Sequence, residues 1–383
     1  MIQIKRKADC CGCGACCNKC PQDCIDMELD SEGFLYPVID QARCIDCGLC
    51  DEVCPLKNKH IRGNDRESLF YGAYNKSTEV MEGSSSGGIF WLLAEEIINQ
   101  NGVVYGVCLN EGLNVSHARA VDLKQCETFL KSKYLESNTG NTYQNAENDL
   151  HSGKVVLYSG TPCQIAGLYH YLGKDYEKLF TSEIVCHGVP SKMVFDKFIS
   201  YLNKKHASKA ISMVWRDKRS GWKPNRVSIK FENGMEIISP SLENLYQRGF
   251  LMGMYHRPSC YSCHFASIPR GGDITLADFW GYQGPLTVGN KNRGLSIVVT
   301  SSDKGKQLFR KISKHCIYES VDRKYVEEKC RHMSRRPAYN ANRPKFFADI
   351  EKHGFLHAAR KYIAPFFVKK MINKFKQYIF YKK

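Results

Sequence analysis

The fifteen residues CCGCGACCNKCPQDC, Cys10 to Cys24, hold seven cysteines, and no other stretch of the 383-residue chain limits its folding choices as tightly. Counted from Cys10, the spacing is C-x2-C-x2-C-x3-C-P, through Cys13, Cys16 and Cys20 to Pro21. The same frame returns in RCIDCGLCDEVCP as Cys44, Cys47, Cys50, Cys54 and Pro55. In such a doubled run, three close cysteines hold three irons of a 4Fe–4S cubane and the fourth thiolate reaches the other cluster. Cys10, Cys13, Cys16 and Cys54 are therefore expected around one cluster, and Cys44, Cys47, Cys50 and Cys20 around a second. Zinc also uses C-x2-C pairs, but it needs only four sulfurs in a tetrahedron and leaves the doubled, proline-closed run unexplained. Gly12, Gly14 and Gly48 let the backbone turn tightly around a cubane and bring N–H groups to its sulfurs. Cys11, Cys17 and Cys24 fall outside the frame and read as small apolar packing residues.

Residues 1–58 thus read as a small bacterial-type ferredoxin domain with two 4Fe–4S clusters, and polar residues 59–68 as a linker. Nineteen cysteines in a chain whose first residues lack an apolar signal core point to metal binding in a reducing cytoplasm. The net charge of +16 suggests nucleic acid until its distribution is followed. Residues 331–383 carry 14 Lys/Arg against 2 Asp/Glu, whereas residues 1–60 carry 7 against 10. Most of the excess belongs to the tail, so no nucleic-acid partner is expected.

Beyond the linker, strand and helix patterns alternate. VVYGVC (103–108), KVVLYSG (154–160) and LFTSEIVCHG (179–188) read as strands, the last two leading into helices. IKFENGMEI (229–237) reads as a hairpin turning at Asn233-Gly234. The expectation is an α/β (mixed α+β) body with partly parallel strands, in two parts, 69–152 and 153–310, followed by a basic helical tail, 311–383. In such sheets ligands gather beyond the carboxyl ends of the strands. There stand Cys163, in SGTPC, and Cys186, in CHG, while RPSCYSC adds Cys260 and Cys263 at C-x2-C spacing. Two readings stay open. The four thiols can hold a third cubane, or Cys163, behind Pro162 at a helix start, can be a nucleophile with His187 as its neighbour.

Taken together, SSSGGIF (84–90), KSKY (131–134), SGTPCQIAGL (159–168), CHGVPS (186–191), SCYSC (259–263) and DITLADFWG (273–281) resemble the coenzyme F420 hydrogenase/dehydrogenase beta-subunit family. The resemblance covers about residues 70–305 and implies a flavoprotein-type body that binds FAD and a third 4Fe–4S cluster through Cys163, Cys186, Cys260 and Cys263. No G-x-G-x-x-G is present, so a Rossmann site is not indicated. Candidates for flavin contact are the turn Ser85, Ser86, Gly87 and Gly88, at a helix start suited to phosphate, with Lys131 and Lys133 as charge partners. His187 is the candidate proton donor, or else a hydrogen-bond donor to the cluster.

The function so implied is an iron–sulfur flavoprotein oxidoreductase. It passes electrons between ferredoxin-type clusters and FAD, then to or from an organic substrate or deazaflavin-like acceptor. Ferredoxin or another redox protein is the expected partner. The alternative is an electron-transfer subunit or docking module with no substrate of its own, serving a partner enzyme, for which surface-polysaccharide synthesis is one setting. In the tail, Phe367, Met371, Phe375 and Ile379 recur every four residues among lysines. That amphipathic pattern suits a peripheral contact at the inner membrane face, a partner, or the protein's own body.

Overall fold

The computed structural model describes residues 1–58 and 68–364. Each cysteine run bends at a glycine in the left-handed region, Gly14 (φ 77°) and Gly48 (φ 79°), which begins a short helix, Ala15–Lys19 or Leu49–Glu52. Between the runs, β1 (Ile25–Leu29) and β2 (Leu35–Ile39) pair antiparallel, with Ile25 opposite Ile39.

The body follows with β3 (Leu69–Asn75), β4 (Val103–Leu109), β5 (Val115–Ala120), β6 (Val156–Gly160) and β7 (Leu179–Ile184). Next come β8 (Ala210–Asp217), β9 (Arg226–Phe231) and β10 (Glu236–Pro240), an antiparallel three-stranded sheet with Asn233-Gly234 in its hairpin turn. The chain then returns with β11 (Ile274–Asp278), β12 (Ser296–Thr300) and β13 (Cys316–Ser320). The main sheet has eight strands in the order β13-β3-β12-β11-β7-β6-β4-β5. Its centre, β4, β6, β7 and β11, is parallel, and its flanks are antiparallel.

Alternation along the strands assigns the faces. Val104 and Leu157 pack toward the helices Ile89–Ile98 and Asp303–Ile312. Val103, Tyr105, Val156 and Tyr158 pack toward the helix Pro162–Leu172, and that cluster also contains Cys13, Ala15 and Val53 of the N-terminal module. Phe34, fully buried, enters the third cluster with Phe195, Phe198 and Trp215. Burying one such phenylalanine is worth about 1.5–3 kcal/mol. The module and the body therefore share their hydrophobic cores.

The two parts 69–152 and 153–310 of the expected body lie in one sheet, since β4 and β6 are hydrogen-bonded neighbours. Residues 311–364, however, are not simply a helical tail. Cys316–Ser320 forms the edge strand β13 on β3, and the helices Arg343–His353 and Phe355–Tyr362 bury Phe346, Ile350 and Phe355. The segment with Phe367, Met371, Phe375 and Ile379 lies outside the described residues, as does most of the linker.

Candidate electron-transfer centres

In the second run, Cys44, Cys47 and Cys50 line one pocket together with Cys20 from the first. The crossed frame thus brings the expected four sulfurs together. Backbone donors point at them: Ile2 N–H to Cys50 Sγ at 3.1 Å and Cys24 N–H to Cys20 Sγ at 3.5 Å. Cys47 is exposed, so this pocket opens to solvent. Cys24 also lines it, its Sγ 3.3 Å from that of Cys20. Cys17 turns elsewhere, to the Ile25 carbonyl at 2.8 Å.

The other four thiols, Cys10, Cys13, Cys16 and Cys54, cluster on the side facing the body. Cys16 lies beside Cys10 and Cys54, and Cys13 beside Cys10 and Cys16. Burial raises the Cys10 and Cys16 thiols above their ordinary range. Here Gly12 N–H meets Cys10 Sγ at 3.4 Å, and Arg257 Nη2 meets it at 3.5 Å. Arg257 is fully buried and ties the junction together. It donates to the Cys10 carbonyl (2.9 Å), the Leu35 carbonyl (2.6 Å) and Glu136 Oε1 (2.6 Å). Tyr143 OH donates to the Cys13 carbonyl at 2.8 Å, and Arg343 grips Glu32 through two bonds of 2.9 and 2.6 Å.

A third pocket opens at the carboxyl ends of β6 and β7. The capping box of Thr161 and Gln164, with Pro162 in the first turn, starts the helix that carries Cys163. Cys186 follows β7, and Cys260 and Cys263 come from the short 3-10 turn Pro258–Ser262 and the residue after it. All four line this pocket. Gly188 N–H points at Cys186 Sγ (3.4 Å) and Val189 N–H at Cys260 Sγ (3.3 Å). Burial pushes the Cys186 thiol up to about 12, while the charge of Arg270 works in the opposite direction.

The donor sets fit 4Fe–4S clusters. Among the described residues no three ligand-type side chains converge tightly enough to grip a single ion. Two of the three thiol sets, that of Cys20, Cys44, Cys47 and Cys50 and that of Cys163, Cys186, Cys260 and Cys263, instead ring pockets, as a cubane requires and a tetrahedral zinc site does not. Buried thiols with raised pKa become thiolates only against positive charge, which iron supplies. Arg270 lines the third pocket, and its buried Nη2 has no partner among the described residues, leaving a donor for a cluster sulfur. Its other nitrogens hold Glu183, buried like itself, and the carbonyls of Phe265 and Met333.

The reading of Cys163 as an activated nucleophile loses its geometry. Its neighbours are Cys11 and Thr161, and contact with Cys11 together with burial drives its thiol well above the ordinary value. His187 points elsewhere, its ring 4.0 Å from that of His332 and 5.2 Å from that of Phe250. Burial and the neighbouring His332 lower His187 to about 4, so it is neutral near pH 7.

The candidate flavin residues meet at one corner of the sheet. Ser132 of KSKY donates to Ser85 through its N–H (2.7 Å), and their hydroxyls are 3.0 Å apart. Ser86 Oγ donates to the Leu295 carbonyl at 2.8 Å. Gly87 N–H is already bonded to Ser296 Oγ, and a Cβ there would stand 2.5 Å from the Ala73 carbonyl. That glycine is required by packing on the sheet. Gly88, with φ 74°, begins the helix Ile89–Ile98. Lys131 is exposed at the rim, whereas the Lys133 ammonium donates to the carbonyls of Val107, Thr128 and Leu130 at 2.8–2.9 Å.

Sequence reasoning missed the cations nearest this turn. Arg216 binds Asp278 at 2.7 Å and lies 4.7 Å over Trp280, which stacks on Trp222 with ring centroids 4.0 Å apart. Lys218 donates to the Ser86 carbonyl at 2.8 Å, and burial and Arg216 lower it to about 7. Both sit on or just past β8, where the run MVWRDK offers no spacing that marks a site. It is the fold that carries them across to Ser85.

Residues 9–58 match the family profile of the 4Fe-4S dicluster domain, and residues 153–324 match that of the C-terminal part of the coenzyme F420 hydrogenase/dehydrogenase beta subunit. The chain joins these two domains. The dicluster domain takes in all eight frame cysteines, and the beta-subunit domain takes in Cys163, Cys186, Cys260 and Cys263. Ser85 to Gly88, Lys131 and Lys133 fall outside both matches. Among solved structures, a chain of the F420-reducing nickel–iron hydrogenase complex from Methanosarcina barkeri, studied as a xenon derivative, is similar at 17% identity. The alignment covers 69% of this chain and 89% of that one, with a TM-score of 0.45. No curated protein matches. Among the described residues no helix is long and apolar enough to cross a membrane.

Proposed function

We propose that this iron–sulfur electron-transfer protein is an oxidoreductase subunit with three 4Fe–4S clusters in a fixed row. The outermost is held by Cys20, Cys44, Cys47 and Cys50, the middle one by Cys10, Cys13, Cys16 and Cys54, and the innermost by Cys163, Cys186, Cys260 and Cys263. The carrying observation is the junction itself, where Cys13 and Cys163 both lie beside Cys11. Cubanes exchange single electrons, and a flavin handles two, which is why the two are often paired. The exposed rim around Cys47 and Ile45, the latter 62% exposed, suits ferredoxin or another redox protein as partner.

The finer reading adds FAD at the corner of Ser85, Arg216 and Trp280. Lys131 and Lys218 would oppose its phosphates and the tryptophan pair would offer an aromatic face. The organic or deazaflavin-like acceptor would be met there, and the protein would work as part of a larger redox assembly. Iron, sulfide and flavin counted on anaerobically purified full-length protein test both levels. About 12 irons with one flavin support the whole reading. About 12 irons without flavin leave an electron-transfer subunit that serves a partner enzyme, and about 8 irons without flavin overturn the third cluster.

A further inference from the structure

The third pocket has five thiols around it, one more than a cubane binds. The fifth is Cys11, which with Leu56 forms the module's share of a wall otherwise built by the body. Its position in the frame explains why it points there. Cys11 occupies the place that Ile45 takes in the second run, directly after the first frame cysteine and at the outer edge of its turn. Ile45 accordingly projects into solvent. In the first run the same direction leads into the body, where the side chain meets Cys163 on one side and Cys13 on the other. An apolar contact would be met by isoleucine or valine. What stands there is a second soft ligand beside the first.

We propose that Cys11 is a reserve ligand of the third cluster, able to replace Cys163 on its iron, so that the module and the body share this site. The inference rests on the three-cluster reading. In the exchange, the iron–sulfur bond to Cys11 forms as the bond to Cys163 breaks. The proton of the Cys11 thiol passes to the Cys163 sulfur, and no electron is gained or lost. Thr161 Oγ1, 3.2 Å from Cys163 Sγ, is placed to hold the released thiol. Cys260, Cys263 and Cys186 keep their places throughout. With Cys11 bound, the third cluster hangs from the same turn of chain as Cys10 and Cys13, which shortens the covalent path between the two clusters.

Iron and sulfide counts with electron paramagnetic resonance of the reduced protein test this on anaerobic full-length chains. Wild type and Cys11→Ala should both hold about 12 irons. Cys163→Ala should also hold about 12, with a changed third-cluster signal, and the double variant should fall to about 8. The eight irons of the module report in each case that the chain has folded. A fall to about 8 in Cys163→Ala alone, or about 12 in the double variant, overturns the reserve ligand. About 8 in wild type overturns the third cluster itself, and this inference with it. Should Cys163→Ala fail to fold, wild type treated with excess ferricyanide supplies the second measurement. Loss of two electrons and two protons then joins Cys11 to Cys163, and mass spectrometry should find that disulfide. A Cys163 left reduced or paired elsewhere counts against the proposal.

Discussion

Gly14 and Gly48 occupy the same place in their cysteine runs, adopt φ of 77° and 79°, and each begins a short helix. Around Gly48 there is nothing within 4 Å of where a Cβ would be; around Gly14 the Thr139 hydroxyl fills that space. The neighbouring positions repeat the contrast, with Cys11 set against Cys163 where Ile45 faces water. One sequence frame therefore builds two copies of the same turn, and on the proposed function only their surroundings would make one an inner relay and the other a port. A ligand motif defines chemistry; it does not define which copy faces a partner.

The strongest way to break the contrast is to remove Arg257, which has no counterpart at the second run among the described residues. Arg257→Met should cost about 3–5 kcal/mol, because Glu136 is left buried without its cation, holding only the Leu35 N–H. The half-loss temperature of the iron–sulfur absorbance should drop accordingly, and Arg257→Met/Glu136→Gln should regain part of it. The exposed pair Arg43–Asp40 beside the second run should show no measurable change when broken.

Alanine at the matched glycines should divide next. Gly48→Ala carries only the strain of a left-handed φ, about 1 kcal/mol. Gly14→Ala adds a clash with Thr139, for about 2–4 kcal/mol in all. The same thermal measurement checks the order, and equal losses would mean that the module is not seated on the body as described.

A third difference is one of pH. Residues 1–58 contain no histidine, but the wall that receives the first run is anchored by His117, bonded to Ser137 Oγ at 2.8 Å and the Ser159 carbonyl at 3.1 Å. Burial lowers His117 to about 4. The unfolded chain takes up a proton below about pH 6.5 and the folded one does not. The stabilisation is therefore complete above pH 6.5 and is lost as pH falls toward 4, at about 1.4 kcal/mol per unit. Stability of wild type should fall from pH 6.5 to 5 by about 2 kcal/mol more than that of His117→Gln.

The smallest effect is kinetic. An iron chelator should remove about 4 irons in a first phase, from the site where Cys47 is exposed, and the rest later. Ile45→Asp should alter the rate of reduction by an external protein donor severalfold without changing the iron count.

The eight frame cysteines were legible because ligand spacing along a chain is itself geometry: three irons at fixed separations demand fixed offsets. The strands Val103–Leu109 and Val156–Gly160 were legible as short apolar, β-branched runs, although both of their faces are covered. Cys163 and Cys186 stood out as polar interruptions at the ends of such runs. The junction was not legible, since its makers look ordinary in sequence. Gly33 draws no attention in the sequence, yet a Cβ there would run into the Met193 backbone. Arg257, beside the C-x2-C pair in RPSC, carries no local mark of its buried role, and Lys133, expected as a charge partner of flavin, spends its ammonium on three backbone carbonyls instead. Long-range neighbours such as Arg216 and Ser85, 131 residues apart, have no local signature at all.

The seat made by Gly33, Glu32 and Arg343 has a consequence for time rather than for structure. A carrier that swings on a leash between two stations is paced by diffusion, so glycerol slows it and a longer leash dilutes it. On the proposed three-cluster reading the stations are already in contact, as gears are in mesh. Electron passage from the middle cluster to the inner one should ignore solvent viscosity, and whatever friction the overall reaction shows must arise at the outer rim, where another molecule has to arrive and leave.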